Sequence, residues 1–139
     1  MPQPPTGTIT IVFTDIQGST VLWEYFGKSF IHLLDHHNYL FRQAFEEFGG
    51  YEVKTEGDSF MVAFQDAHAA VQMCVKMQER LHAVKWEIVS DQIAPEIIAN
   101  ARAEGAFNGI KVRMAAHTGS PDYQPDAITG RMDYFGRMV

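Results

Sequence analysis

With 139 residues the chain is long enough for one domain with a real hydrophobic core and too short for two independent ones. A formal net charge of -6 and the lack of Lys/Arg clusters argue against a nucleic-acid partner, because a phosphate backbone rewards concentrated positive charge. One cysteine, Cys74, rules out an internal disulfide and suits a reducing compartment; neither a signal-peptide pattern nor an apolar run of about 18 residues appears, so no direct membrane contact is expected of this stretch.

Residues 1–7 hold three of the six prolines and read as an extended leader, leaving residues 8–139 as the domain. Residues 8–14 form the first expected strand; the adjacent apolar side chains of Ile11, Val12 and Phe13 suggest burial on both faces and a central place in the sheet. Ser19 or Thr20 is placed to cap one long helix reaching Phe48, with Leu22, Phe26, Phe30, Leu33, Leu34, Phe41, Phe45 and Phe48 recurring every three or four residues. Gly49-Gly50 ends it, and residues 51–55 and 59–64 follow as a hairpin through the Glu56-Gly57 turn.

Asp66 or Gln65 starts a second helix through Ala69, Ala70, Met73, Cys74, Met77 and Leu81, which fades near residues 84–86. Residues 87–108 read as an insertion containing a short helix at 96–103. Residues 110–118 read as another strand. Pro121, Pro125 and Gly130 then mark a loop or arm, and a last helix is expected to begin around Tyr134. The order β-α-β-β-α-β is that of an α+β, ferredoxin-like core, an antiparallel sheet with helices on one face. Right-handed crossovers lay the first strand beside the strand that Asp58 opens.

Asp15 closes the first strand and Asp58 opens the third, so this topology brings two carboxylates to one end of the sheet. An uncompensated acid there is costly, and a shared divalent cation is the natural remedy, since Mg²⁺ is commonly held by one or two carboxylates plus substrate phosphates. Either aspartate alone could equally cap a turn. The Gln17-Gly18-Ser19-Thr20 turn opens a helix, whose unpaired N–H groups and partial positive charge favour a phosphate; a plain Ser/Thr cap is the simpler alternative. His36 and His37 are neighbours on a helix and do not face one ligand, so they are read as packing or solvent residues. His117 is read as serving the core or a turn.

Four ordered motifs carry a resemblance to a known family. They are Val12-Phe13-Thr14-Asp15-Ile16-Gln17-Gly18-Ser19-Thr20, Tyr51-Glu52-Val53-Lys54-Thr55-Glu56-Gly57-Asp58-Ser59-Phe60-Met61, Val112-Arg113-Met114-Ala115-Ala116-His117-Thr118-Gly119 and Arg131-Met132-Asp133-Tyr134-Phe135-Gly136. Together they resemble the catalytic domain of class III nucleotidyl cyclases, most closely the fungal-type and trypanosomatid-type adenylyl cyclases, from about Thr8 to the chain end.

The resemblance implies that Asp15 and Asp58, with the Ile16 carbonyl, hold two Mg²⁺ or Mn²⁺ ions. It implies that Gly18, Ser19 and Thr20 form a phosphate loop, that Lys54 and Asp133 read adenine, and that Arg113 contacts phosphate. A lysine donates to a ring nitrogen and an aspartate accepts from an exocyclic amine, which favours ATP over GTP. Family members work as head-to-tail dimers, so Asp15, Asp58 and Arg113 of one protomer are expected to meet Lys54 and Asp133 of its partner, or of another cyclase domain. The expected setting is the cytoplasmic side, in a parent that could be membrane-associated. An asparagine, an arginine and a lysine of the family would lie beyond Val139. The carboxyl-terminal part is therefore expected to be missing and this fragment inactive or nearly so, since losing one charge-stabilising donor alone commonly costs on the order of a hundredfold. Two rivals stand beside this reading: a catalytically silent cyclase-like module for nucleotide binding or dimerisation, and an aspartyl-phosphate phosphatase, disfavoured because Gln17 sits where a second aspartate is needed.

Overall fold

A computed structural model describes residues 2–86 and 93–139. The elements are β1 (Ile9–Ile16), α1 (Ser19–Phe26), α2 (Phe30–Phe48), β2 (Tyr51–Glu56), β3 (Ser59–Phe64), α3 (Ala67–Ala83), α4 (Pro95–Ala103), β4 (Val112–Gly119), β5 (Asp122–Pro125) and β6 (Met132–Phe135). β1 to β4 form a sheet in the order β2-β3-β1-β4, with every neighbouring pair antiparallel. The expected α+β ferredoxin-like core is therefore the observed one, and β1 is central as its apolar run suggested.

Alternation along the strands sorts the core into two layers. Val12 and Ile16 of β1 and Phe60, Val62 and Phe64 of β3 face the helices, where they meet Leu22, Phe26, Phe30, Leu33, Phe41, Met73 and Met77. Ile9, Ile11, Met61, Ala63, Tyr51 and Val53 face the other way and are covered by Tyr134. Phe60 is the hub of the helix side: its ring lies 5.6 Å from Phe41 and 5.2 Å from Phe45, and burying such a side chain stabilises the fold by roughly 1.5–3 kcal/mol. Cys74 is half-buried against this layer, and burial pushes its thiol pKa up.

Three expectations are corrected. The single helix from Ser19 or Thr20 to Phe48 is two, because Gly27 adopts φ 54°, ψ -135°, outside the helical region; a 3-10 turn, Gly27–Ser29, redirects the chain into α2. The apolar repeat survives the break, since Phe26 and Phe30 are both buried, and so hid it from a periodicity argument. The loop or arm around Pro121, Pro125 and Gly130 is a hairpin, β5 paired antiparallel with β6. The last helix expected near Tyr134 is instead strand β6; Tyr134 is buried among the strand residues of the second layer, and its hydroxyl donates to the Pro5 carbonyl at 2.7 Å.

The other elements lie close to expectation. Asp66 caps α3, its carboxylate accepting from the His68 N–H at 3.0 Å. The short helix expected at 96–103 begins one residue earlier, with Pro95 in the first turn, where a missing N–H costs nothing. Part of the proposed insertion, residues 87–92, lies outside the described residues. The leader is tied to the domain near its end, because the Gln65 side-chain amide bonds both the N–H and the carbonyl of Thr6.

Candidate active site

The register of the sheet decides which side chains meet at its tip. Asp15 pairs with Ser59 on β3 and with Arg113 on β4. Both contacts follow: the Ser59 hydroxyl donates to Asp15 Oδ1 at 3.4 Å, and the Arg113 guanidinium pairs with Asp15 Oδ2. Asp58 directly precedes Ser59, one residue from the partner of Asp15, so the two aspartates reach the same end of neighbouring strands as the topology predicted. The strand ends are clamped below them by the Phe60 N–H, which donates to the buried Thr14 hydroxyl at 3.2 Å.

Among the described residues Asp58 Oδ2 is buried and has no hydrogen-bond partner. A buried acceptor without a donor is uncommon in native proteins and calls for a donor, a water or an ion. Two carboxylates and the strand-end carbonyl of Ile16 are hard oxygen donors that leave positions open for water and phosphate, so this donor set fits a divalent cation of the Mg²⁺ or Mn²⁺ type. Among the described residues no three His, Cys, Asp or Glu side chains form a group that could hold a metal ion.

Gly18, Ser19 and Thr20, the expected phosphate loop, open α1. Gly18 itself is the N-cap at φ 68°, and no side chain caps the helix, which corrects the expectation that Ser19 or Thr20 would do so. A residue with a Cβ is strained in that left-handed conformation, and glycine also leaves the approach to the first turn open. The Gln17 N–H is held by the Lys111 carbonyl at 2.8 Å, fixing the loop to the base of β4.

Lys54 of β2 and Asp133 of β6 form a second pair. Lys54 Nζ is 3.5 Å from Asp133 Oδ1, and the two side chains are 47% and 22% exposed. So exposed a pair contributes at most about 1 kcal/mol and is easily parted by a competing hydrogen-bonding ligand. A β-bulge between Glu52 and Lys54 re-aims this part of β2. The cleft around the pair, about 390 Å³, is bordered by Glu52, Thr55, Asp126, Thr129 and Arg131. Among the described residues no hydrogen bond or ion pair joins this pair to Asp15, Asp58 or Arg113.

The supporting residues of this cleft escaped the sequence reading. Arg131 donates twice to the Glu52 carbonyl, at 3.0 and 2.7 Å, and its guanidinium lies 4.3 Å from the Tyr51 ring centre. The Glu52 side chain accepts two bonds from Arg42 and one from Thr55; burial pushes its pKa up, but these donors outweigh burial and leave it below the usual carboxylate value. Asp126 accepts from the N–H groups of Ile128 and Thr129, which lowers its pKa and shapes the β5–β6 loop. Burial, with Tyr51 and Tyr123 nearby, pushes Tyr134 up to about 12. Only the fold brings these partners together, although the alternation Met132-Asp133-Tyr134-Phe135 between Gly130 and Gly136 was a usable strand signal.

His36 packs edge-on against Trp86 at 5.8 Å and His37 is fully buried, so both serve packing as read. His117, expected to serve the core or a turn, is exposed on β4.

Residues 1–139 match the adenylate and guanylate cyclase catalytic domain family, and the chain belongs to it. An adenylate cyclase of Lachancea kluyveri is 44% identical over 138 residues, a match that covers 98% of this chain and 7% of that protein. A receptor-type adenylate cyclase of Trypanosoma brucei brucei is 34% identical over 154 residues, covering 98% of this chain and 12% of that protein. A solved structure of an adenylate cyclase from Trypanosoma brucei in its monomeric state superimposes with a TM-score of 0.78 at 33% identity, over 99% of this chain and 67% of that one. The chain thus spans a small fraction of its curated relatives, within their cyclase catalytic region. No helix among the described residues is long and apolar enough to cross a membrane.

Proposed function

We propose that this domain converts ATP to 3′,5′-cyclic AMP and pyrophosphate, as part of a longer signalling polypeptide. The observation that carries the reading is the register that sets Asp15 opposite Ser59, next to Asp58, so that two carboxylates reach one end of the sheet. Asp15, Asp58 and the Ile16 carbonyl hold two Mg²⁺ or Mn²⁺ ions. When bound, these ions lower the pKa of the ribose 3′-hydroxyl and neutralise charge developing on the phosphates.

The residues of the chain do the positioning. Ser19 and Thr20 N–H groups at the start of α1 bind phosphate oxygens, and Gly18 keeps the approach open. Arg113, 69% exposed, exchanges its Asp15 partner for a phosphate oxygen once a cation satisfies that carboxylate. Lys54 donates to an adenine ring nitrogen and Asp133 accepts from the 6-amino group, parting their mutual contact. The 3′-hydroxyl gives its proton to water as its oxygen bonds to the α-phosphorus, the bond to the bridging oxygen breaks, and pyrophosphate leaves. No side chain is needed as a dedicated base, because orientation and electrostatics lower most of the barrier.

In line with the family resemblance, a complete site takes Asp15, Asp58 and Arg113 from one protomer and Lys54 and Asp133 from its partner, in a head-to-tail homodimer or with another cyclase domain. A single protomer by itself is then inactive or nearly so. The receptor-type name of one relative supports a cytoplasmic position in a membrane-associated parent. The test is cyclisation of ATP and GTP by the parent polypeptide. Strong preference for ATP that falls in Lys54→Ala and Asp133→Ala is expected; equal use of both nucleotides would remove the adenine-reading assignment.

A further inference from the structure

Among the described residues two buried side-chain polar atoms have no hydrogen-bond partner: Asp58 Oδ2 and His37 Nε2. They belong to elements packed on each other. His37 of α2 is fully buried, its ring 5.7 Å from the Phe60 ring and nearly parallel to it, and 4.8 Å from Phe41. Phe60 is two residues beyond Asp58, and the Asp58 charge acts on the imidazole. One atom is a carboxylate acceptor; the other belongs to a ring that becomes a donor in the right tautomer.

The opposite ring nitrogen decides that tautomer. His37 Nδ1 lies 2.8 Å from the Asn38 side-chain oxygen. With the oxygen facing it, Nδ1 must carry the proton, and Nε2 is then an acceptor with no donor opposite it among the described residues. The two ends of an amide have nearly the same shape, so turning the Asn38 amide over leaves the packing unchanged. Its N–H then donates to Nδ1, and the single proton of a neutral ring moves to Nε2. That arrangement turns Nε2 into a donor, the kind of group the Asp58 oxygen lacks.

We propose that His37 is a positioning residue for Asp58: its Nε2–H donates to Asp58 Oδ2 across one buried water, with Asn38 fixing the tautomer. The carboxylate is thereby held with its other oxygen free at the tip of the sheet. Outer partners of this kind orient ligating groups, and their loss commonly weakens metal binding by about 10- to 100-fold. The inference rests on the proposed cation role of Asp58.

Two measurements on the 139-residue chain test it. Imidazole ¹⁵N NMR near neutral pH should show His37 as the neutral Nε2–H tautomer; an Nδ1–H tautomer or a doubly protonated ring overturns the proposal. Mn²⁺ titration by water-proton relaxation, with thermal melting alongside, should show His37→Phe binding about tenfold more weakly. His37→Gln, whose amide N–H can reach the same oxygen, should stay within a few-fold of the unsubstituted chain. Equal Mn²⁺ affinity in His37→Phe, or equal loss in both variants, overturns it. Asp58→Asn separates the two ideas: unchanged Mn²⁺ affinity there defeats the cation reading itself, whereas the NMR result reports on His37 whatever the metal does.

Discussion

Replacing Arg131 with alanine removes the brace that fixes the β5–β6 hairpin to β2, and with it the support of Asp133. The guanidinium gives two hydrogen bonds to one carbonyl, that of Glu52, and packs over the Tyr51 ring. A hydrogen bond involving a charged group contributes about 1.5–3 kcal/mol, but here both end on the same oxygen, so they do not add in full. The ring contact contributes about 0.5–1 kcal/mol at a partly exposed position. Water can reach part of the vacated carbonyl, which returns some of the loss. The net expectation is about 2 kcal/mol, equivalent to a fall in Tm of roughly 5–10 °C for a domain of this size. Urea unfolding with an unchanged m-value measures it. Arg131→Lys should recover less than half, because an ammonium cannot reproduce the planar two-donor contact with stacking. A loss below about 0.5 kcal/mol for Arg131→Ala would refute the assignment of the brace as the hairpin's main attachment.

Glu52 is held below its ordinary pKa by Arg42 and Thr55, so its contribution is present above that value and is lost as pH falls through the lower folded value. The Tm advantage of the native sequence over Glu52→Gln should therefore shrink between pH 6 and pH 3; an advantage that grows on acidification would show the sign to be wrong. Arg113→Ala should weaken nucleotide binding by about tenfold, the order expected for one charged contact, while leaving Mn²⁺ binding no weaker, because Arg113 and a cation compete for Asp15. Calorimetry with a non-cyclisable ATP analogue and with Mn²⁺ alone distinguishes the two, and weaker binding of Mn²⁺ alone would contradict the competition.

The core of the fold was legible because its signals are local. The continuous apolar run of β1, the turn before Asp58 and the repeat in α3 each carry their own periodicity, and crossover handedness then fixes which strands are neighbours. Gly27 was missed because the apolar repeat continues across the break: Phe26 and Phe30 are both buried although the backbone between them leaves the helix. The β5–β6 hairpin was missed because its strands are short and its stabilising partners, Tyr51, Glu52 and Pro5, are distant in sequence. Of the candidate site residues, Asp15, Asp58 and Arg113 were placed by motif and topology together. His37 gave no signal beyond an apolar helix face, since its second nitrogen acquires meaning only beside Asp58.

Cyclic AMP formation from ATP with Mg²⁺, measured for the parent polypeptide and for its Asp58→Ala form at equal folded concentration, tests the assignment most directly. Activity in the native sequence and a fall of more than about a hundredfold in the variant is the predicted pair of results. Comparable turnover by both would show that Asp58 does not hold a required cation.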